Sequence, residues 1–543
     1  MNEYPSLRIE GGLISAEVLA DIREEKTPGQ RGGDFGEKDL KLLDMVSAAW
    51  GDAQGRWIIF QRQVGRLGEG DPATTPTRAW MSDLLSLLGF DLVRLQSLIE
   101  QDGKKYHISH RAGTDPNAPP VHIVGSRQSI DRRPESGPSL MAPHSMVQDF
   151  LNHSDELWGI VTNGMVLRLL RDSHLMKRQA YIEFDLEEIF TGDRFPDFYL
   201  LFRLVHASRF PKGVSDIESC LLEQYHRLSI EQGGRVREGL RTGVEQALLL
   251  LANGFLSHPK NTEFAAEAAS GKIDPSELYR QLLKIIYRFL FLMVCEERGL
   301  VSSDPVYKQY YSINRIRKLI QNRGSYTRHT DLWTGLVTQF TLFSDEELGG
   351  VIGVPPLNGE LFAEQGTSLI NDLQITNDAL LNAVWNLAMY QEITKKGKTD
   401  IKGPWRRVNY GSLDVEELGS VYESLLDLQP HFLPTISGDV EYRFFAGTER
   451  KSTGSHYTPP ELVNELIQTA LVPVINEQLS ETKNQKDKEE ALLSLSVCDP
   501  AAGSGHFLLA AARRIGRELA KIRSGDEEPS PEATRDAIRD VIT

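Results

Sequence analysis

Apolar and polar residues change rhythm several times along this chain. Residues 1 to about 75 set two Gly-rich segments, 28–36 and 65–76, around one stretch of helical spacing from Glu37 to about Gly65; clusters of glycine and proline mark breaks between elements. From Thr77 the pattern tightens. Arg78 to Leu88 carries apolar residues three and four apart and meets Gly89, a residue suited to end a helix. Short strand-like runs follow at Tyr106–Ser109 and Val121–Val124, then a helical stretch from Ser145 to Asn152. Leu157–Thr162 and Val166–Leu170 flank Asn163-Gly164, and an Asn-Gly pair between two such runs predicts a hairpin. Tyr181–Phe184 completes an α/β unit ending near residue 210. Beyond it the spacing is mostly helical to about 435, over Ile217–Leu228, Val236–Gly254, Glu277–Glu297 and Asp414–Leu428.

At 543 residues the chain exceeds one core, and about three domains are expected. The formal charge of −16 supplies no global basic field for nucleic acid, so any such contact has to come from a local patch. The three cysteines, Cys220, Cys295 and Cys498, are far apart and odd in number. This argues against a disulfide framework or a Cys-rich zinc site and fits a reducing cytoplasm. No signal pattern opens the chain. The apolar run Phe289–Cys295, interrupted upstream by Arg288, is far shorter than the roughly 18–20 residues a membrane span needs; a buried core helix is expected, and no membrane partner. Residues 477–490, rich in Lys, Glu and Gln, suit a solvated helix face or a linker.

The region that carries chemistry is 453–523. Leu495–Cys498 is a short strand candidate, followed directly by Asp499-Pro500-Ala501-Ala502-Gly503-Ser504-Gly505-His506-Phe507. Leu508, Ala511, Ala512, Ile515, Leu519 and Ile522 then repeat at helical spacing. Strand, glycine loop and helix open a doubly wound nucleotide-binding sheet, with Asp499 at the strand end where such sheets take ligands. A Cβ at Gly503 or Gly505 would keep a ligand from the backbone. Position 508 is Leu where a pyrophosphate fingerprint needs its third glycine, and no Gly-Lys-Ser/Thr follows, so a dinucleotide or triphosphate is disfavoured. About 45 residues upstream stands Gly454-Ser455-His456-Tyr457-Thr458-Pro459-Pro460-Glu461. Thr458 and Glu461 fit a capping box with Pro459 at the first helical position, and the helix is expected to run from Leu462 to Leu471. Taken alone this is a well-capped helix; its N-terminus also suits a carboxylate.

In this order, the two elements resemble the γ-class DNA N6-adenine methyltransferases, the methylase halves of type I, type IIG and related defence enzymes of the DISARM or BREX kind. The Tyr-Thr-Pro segment matches their motif X and the Asp-Pro-x-x-Gly-x-Gly-x-Phe segment their motif I. The resemblance implies S-adenosylmethionine as cofactor, with Tyr457 and Thr458 at its methionine end and Asp499, Pro500, Ala501, Gly503, Gly505 and Phe507 lining the cleft. Glu417–Leu426 resembles the stretch before motif X in large single-chain members, and Glu156–Gly164 with Phe184-Asp185-Leu186 resembles the end of a nuclease-like fold in type IIG enzymes. That nuclease family holds Mg²⁺ with an Asp and a Glu/Asp-x-Lys pair on adjacent strands, since Mg²⁺ prefers hard oxygen ligands. Here Tyr106–Ser109 and Val121–Gly125 offer no Glu-x-Lys, and Asp115 and Asp131 lie near without the lysine. A degenerate nuclease fold is expected, with no metal, able to touch DNA through Arg127, Arg132 and Arg133.

The expected fold is therefore a mixed α/β multidomain chain. It comprises an N-terminal helical adaptor (1–76), a degenerate nuclease-like α/β domain (77–210), a helical connector (211–435) and the start of a Rossmann-like methyltransferase sheet (436–543). The family's catalytic Asn/Asp-Pro-Pro-Tyr/Phe, whose aromatic ring stacks on the flipped base, is absent. Asp115-Pro116-Asn117-Ala118-Pro119-Pro120 has no aromatic after it. The acidic residue for the cofactor ribose is also missing. The catalytic residues are expected beyond Thr543, and the 543 residues alone are expected not to methylate. The resemblance implies a site-specific DNA adenine-N6 methyltransferase of a restriction-modification or phage-defence system, with double-stranded DNA and other subunits of such a system as partners. The alternatives are a bifunctional type IIG restriction endonuclease-methyltransferase, a non-catalytic DNA-binding or scaffold subunit, and, more distantly, a small-molecule or RNA methyltransferase.

Overall fold

A computed structural model describes the chain except residues 1–3, 135–140, 173–179, 358–360, 397–398, 412, 414–418, 420–427, 436–438, 447–457, 459, 483 and 503–504. It is mixed α/β and divides into two compact units, residues 233–458 and residues 2–232 with 459–543. The expected helix Asp414–Leu428 and most of Glu417–Leu426 fall outside the described residues.

In the second unit, seven strands among the described residues form one sheet. In chain order these are β1 (Leu7–Glu10), β2 (Val93–Arg94), β5 (His110–Arg111), β6 (Pro120–Ile123), β7 (Trp158–Thr162), β8 (Val166–Arg171) and β9 (Tyr181–Asp185), and the spatial order is β1-β9-β8-β7-β6-β5-β2. A separate hairpin, β3 (Ile99–Gln101) with β4 (Lys104–Tyr106), lies between β2 and β5 in sequence. All neighbours in the large sheet are antiparallel except β6 and β7, which are joined by the crossover helix Pro143–His153, as a parallel pair requires. The predicted β7–β8 hairpin is present. Gly164 takes φ +79°, and Asn163 Oδ1 accepts from the N–H groups of Met165 (3.1 Å) and Val166 (3.0 Å), which suits Asn-Gly to this turn.

The expected strand Tyr106–Ser109 is instead split. Tyr106 closes the small hairpin opposite Ile99, whereas His110 and Arg111 pair with β6. The cause is Ser109: its hydroxyl donates to the Val121 carbonyl (3.2 Å) and accepts from the Ile123 N–H (2.9 Å), so a side chain takes the place of a backbone rung. Helix Thr74–Leu87 covers one face of the sheet and meets β6. It packs beside helix Leu42–Val64 in an aromatic core where Trp80 lies 5.6 Å from Trp57 and 5.2 Å from Phe190.

In the first unit, helix Pro275–Glu297 runs through the core, as expected for the apolar run at 289–295. Arg288 is buried there. Its guanidinium donates to the carbonyls of Leu361 (2.7 Å) and Ala363 (3.0 Å) and stacks over Phe340. Helix Leu221–Leu256 is continuous where two separate stretches are expected. The hairpins Met389–Lys396/Thr399–Arg407 and Leu428–Pro434/Val440–Ala446 are not announced by the helical spacing of this region. No helix among the described residues is long and apolar enough to cross a membrane.

Candidate functional site

Helical backbone begins at Pro460, runs to Leu466, widens into a π-turn over Ile467–Leu471 and resumes as Val472–Ser480. Pro473 has no N–H to give to the Thr469 carbonyl, which places the break in the ladder at this turn. Thr458 is half-buried and belongs to the other compact unit. Tyr457, Pro459 and the side chain of Glu461 lie outside the described residues, so the expected capping box does too.

Residues 495–498, expected as a strand, pair with no neighbour among the described residues, and Val497 and Cys498 are exposed. A strand exists only beside another, and apolar β-branched content alone does not supply one. The glycine loop and its helix are formed. Gly505 takes φ +76° in open space, with nothing within 4 Å of where a Cβ would stand; the backbone here demands glycine, not crowding from the protein. The Gly505 N–H donates to the Ala502 carbonyl at 2.7 Å, turning the chain into helix His506–Ser524. Asp499 Oδ1 accepts from the Ala501 N–H at 3.0 Å. Its Oδ2 is buried with no hydrogen-bond partner among the described residues. Pro500 and Ala501 are exposed and Phe507 is half-buried; Gly503 lies outside the described residues.

The helix from His506 packs against the helix from Pro460. Its apolar face, Ile515, Leu519 and Ala520, buries with Ile475, Leu492 and Ala537. Helix Pro531–Ile542 lies so close that a Cβ on Gly516 would stand 2.5 Å from Ile538 Cγ1 and 2.8 Å from its Cα. This helical pair is tied to the segment that follows β6 by contacts that no sequence pattern announces. Asp526, nearly fully buried, accepts from Arg133 at 3.0 and 2.6 Å, and Arg132 reaches Glu532 at 2.6 Å. Arg127 folds onto backbone carbonyls, including those of Asp71 (3.1 Å) and Val64 (3.1 Å). The three arginines expected to face DNA therefore have partners within the protein.

The carboxylates near the strands expected to be nuclease-like are also occupied. Asp131 accepts from Arg168 at 2.7 and 3.0 Å. Burial works against its charge, yet this guanidinium holds its carboxyl below the usual range. Asp115 Oδ1 accepts from the Asn117 N–H at 2.8 Å. No cluster of three His, Cys, Asp or Glu among the described residues is arranged to hold a metal.

Residues 439–528 match the model of the N-6 DNA methylase family. Over 281 residues the chain is 22% identical to a protein of Methanocaldococcus jannaschii named provisionally as a type II restriction enzyme and methyltransferase. That alignment covers 44% of this chain and 21% of the relative, so the chain spans about a fifth of the relative's length. No solved structure matches. The two matches support the resemblance to N6 DNA methyltransferases of restriction-modification type.

Proposed function

We propose that residues 459–543 supply the cofactor-holding segment of an S-adenosylmethionine-dependent DNA adenine-N6 methyltransferase, acting on double-stranded DNA in the cytoplasm within a restriction-modification or phage-defence system. The observation that carries this is Asp499 Oδ2, an acceptor buried and unpaired among the described residues beside a glycine turn. An orphaned carboxylate oxygen is costly unless a ligand donor completes it, and S-adenosylmethionine offers an ammonium and ribose hydroxyls. When bound, that group supplies an electrophilic methyl on a sulfonium.

The protein's own part is positional. Asp499 orients a donor group through Oδ2 while Oδ1 is held by the Ala501 N–H. Gly505 leaves room at the helix start, and Phe507 offers a half-buried ring two residues on. Tyr457, Thr458, Pro500, Ala501 and Gly503 complete the proposed contact set, with Tyr457 and Thr458 at the methionine end. Calorimetry on the full-length protein tests this. S-adenosylmethionine binds the wild type, and Asp499→Asn binds it about tenfold or more weakly, the loss of one charged hydrogen bond. No uptake by the wild type refutes the proposal.

The relative's name favours a second reading, a bifunctional restriction enzyme. Mg²⁺-dependent cleavage of duplex DNA by the full-length protein would establish it, though Asp115 and Asp131 already have partners.

A further inference from the structure

Between residues 389 and 407 the chain carries six Lys and Arg against two Asp and Glu, in a sequence whose totals are 60 against 76. This basic stretch is the hairpin Met389–Lys396/Thr399–Arg407, a two-stranded ribbon that no third strand joins among the described residues. At about 3.3 Å per residue its strands extend about 25–30 Å, and a hairpin without further strands needs a seat to be stable. The base of the ribbon has one. Tyr390 is buried so close to helix Leu221–Leu256 that a Cβ on Gly239 would stand 2.9 Å from the Tyr390 Cβ. Trp405 meets Trp385 edge-on at 5.9 Å, and Arg407 shares the Glu297 carboxylate with Arg317, reaching it at 3.2 Å.

Residues two apart on a strand share a face, and the register decides which ones do so here. Arg407 stands opposite Met389, Trp405 opposite Gln391, Lys402 opposite Ile393 and Asp400 opposite Lys395. From Gln391 to Ile393 one strand advances two residues while the other advances three, from Trp405 to Lys402. The extra residue lies in Gly403-Pro404, and the Gln391 side-chain amide braces this bulge by donating to the Gly403 carbonyl at 3.0 Å. A bulge of this kind shifts the alternation by one. Without it Lys402 would fall on the face of Tyr390 and Arg406. With it Lys402 joins Trp405 and Arg407, and position 395 continues the row. The two faces differ accordingly: Tyr390 is buried and Arg406 half-buried, whereas Arg407, Trp405 and Lys402 are exposed.

We infer that this outward face, Lys402, Trp405 and Arg407 with position 395, is a docking surface for duplex DNA. Lysine and arginine along one face can meet backbone phosphates, the indole adds a flat apolar surface between them, and a two-stranded ribbon is narrow enough to enter the major groove. Protein interfaces deplete charge at their centre, whereas here the exposed ring lies between two cations. The choice of DNA rests on the methyltransferase proposal above.

The test is fluorescence anisotropy of labelled duplex and single-stranded DNA with the full-length protein, in EDTA, across a potassium chloride series. Lys402→Gln should flatten the log–log salt slope for the duplex by about one. Lys395→Gln/Lys402→Gln should flatten it by about two and weaken duplex binding about tenfold at low salt. Trp405→Ala should weaken binding severalfold with the slope unchanged, and Trp405→Phe should restore most of the loss. Arg280→Gln, a charge loss in the same compact unit at a residue paired with Glu277, should leave affinity and slope as they are. An unchanged duplex slope in both lysine variants, or no duplex binding by the wild type, overturns the inference. If the slope flattens for single strands alone, the duplex assignment fails. If the variants instead alter the oligomeric state in sedimentation while DNA binding holds, the ribbon is a protein contact and the inference fails. Uptake of S-adenosylmethionine, measured by calorimetry, should be equal in wild type and variants. No uptake by the wild type refutes the methyltransferase proposal alone, and normal uptake beside an unchanged slope refutes the ribbon alone.

Discussion

Gly516 sits inside helix His506–Ser524, and two physical effects give opposite signs for its replacement by alanine. Helix propensity alone favours Gly516→Ala by about 1 kcal/mol. Contact opposes it. The new Cβ would stand 2.5 Å from Ile538 Cγ1, 2.8 Å from Ile538 Cα and 3.0 Å from Ile538 N. Cγ1 can swing aside by a rotamer change, but Cα and N are backbone and move only with helix Pro531–Ile542. Restoring an ordinary carbon contact of about 3.5–4.0 Å separates the two helices by about 1 Å. That opens the seam holding Ile515, Leu519 and Ala537, and overpacking of this kind costs about 1–3 kcal/mol.

Contact therefore wins by up to about 2 kcal/mol, and Gly516→Val, bulkier and without alanine's propensity, loses more. Hydrogen exchange on the amides of residues 531–542 in the full-length protein reads this local opening. Protection should fall up to about thirtyfold for alanine and further for valine. A rise of about fivefold in the alanine variant, as propensity alone requires, refutes the packing argument. The same displacement shifts the helix carrying Gly505, so S-adenosylmethionine uptake should weaken severalfold.

Three other perturbations test separate parts of the chain. Asp526→Ala removes the acceptor of Arg133, whose head is partly exposed. The expected cost is about 1–3 kcal/mol, discounted for that exposure, seen as faster proteolysis in residues 525–543. Burial holds His110, His122 and His144 neutral, at about 4, 3 and 3 in the folded state, while the unfolded chain titrates near 6.5. The unfolded state therefore binds protons first, stability is intact above pH 6.5, and it falls as the pH drops toward 4. At pH 5, His122 alone accounts for about 2 kcal/mol, so calorimetric melting should fall between pH 7 and 5 in wild type and by less in His122→Phe. Arg288→Met strands the Leu361 and Ala363 carbonyls and should cost about 2–4 kcal/mol in denaturant unfolding. Arg288→Lys should not recover it, since an ammonium lacks the planar fork that spans both carbonyls and stacks on Phe340.

Where one short-range cause decides a conformation, the sequence is readable. Asn163-Gly164 dictates its turn, Gly89 ends its helix at φ +81°, and the spacing from Leu508 to Ile522 forms one helix. Conformations set by distant partners are not readable in the same way. Leu7–Glu10 is a strand because β9 lies beside it, and four residues of mixed polarity do not announce that. Val497 and Cys498 have strand-forming chemistry but no neighbouring strand among the described residues. The same division runs through the candidate site. Asp499 and Gly505 are legible from their spacing, whereas the exposed pairing of Arg132 and the buried pairing of Arg133 join residues some 400 and 393 positions apart.

Those pairings differ in what they can hold. Arg132 and Glu532 are 74% and 40% exposed, so solvent and salt screen them and the pair contributes little. Asp526 has a side chain only 1% exposed and takes two donors from Arg133; leaving that carboxylate buried without its partner is the costly state. Arg535 adds only a long contact, 3.5 Å, to the Tyr181 hydroxyl. The seating of residues 525–543 on the sheet thus depends chiefly on one buried carboxylate. Helix Pro531–Ile542 in turn fixes helix His506–Ser524 through Gly516. The glycine loop at the head of that helix, turned by its own Gly505–Ala502 hydrogen bond, is therefore also held from the helix's far end, through the contact of Asp526 to Arg133.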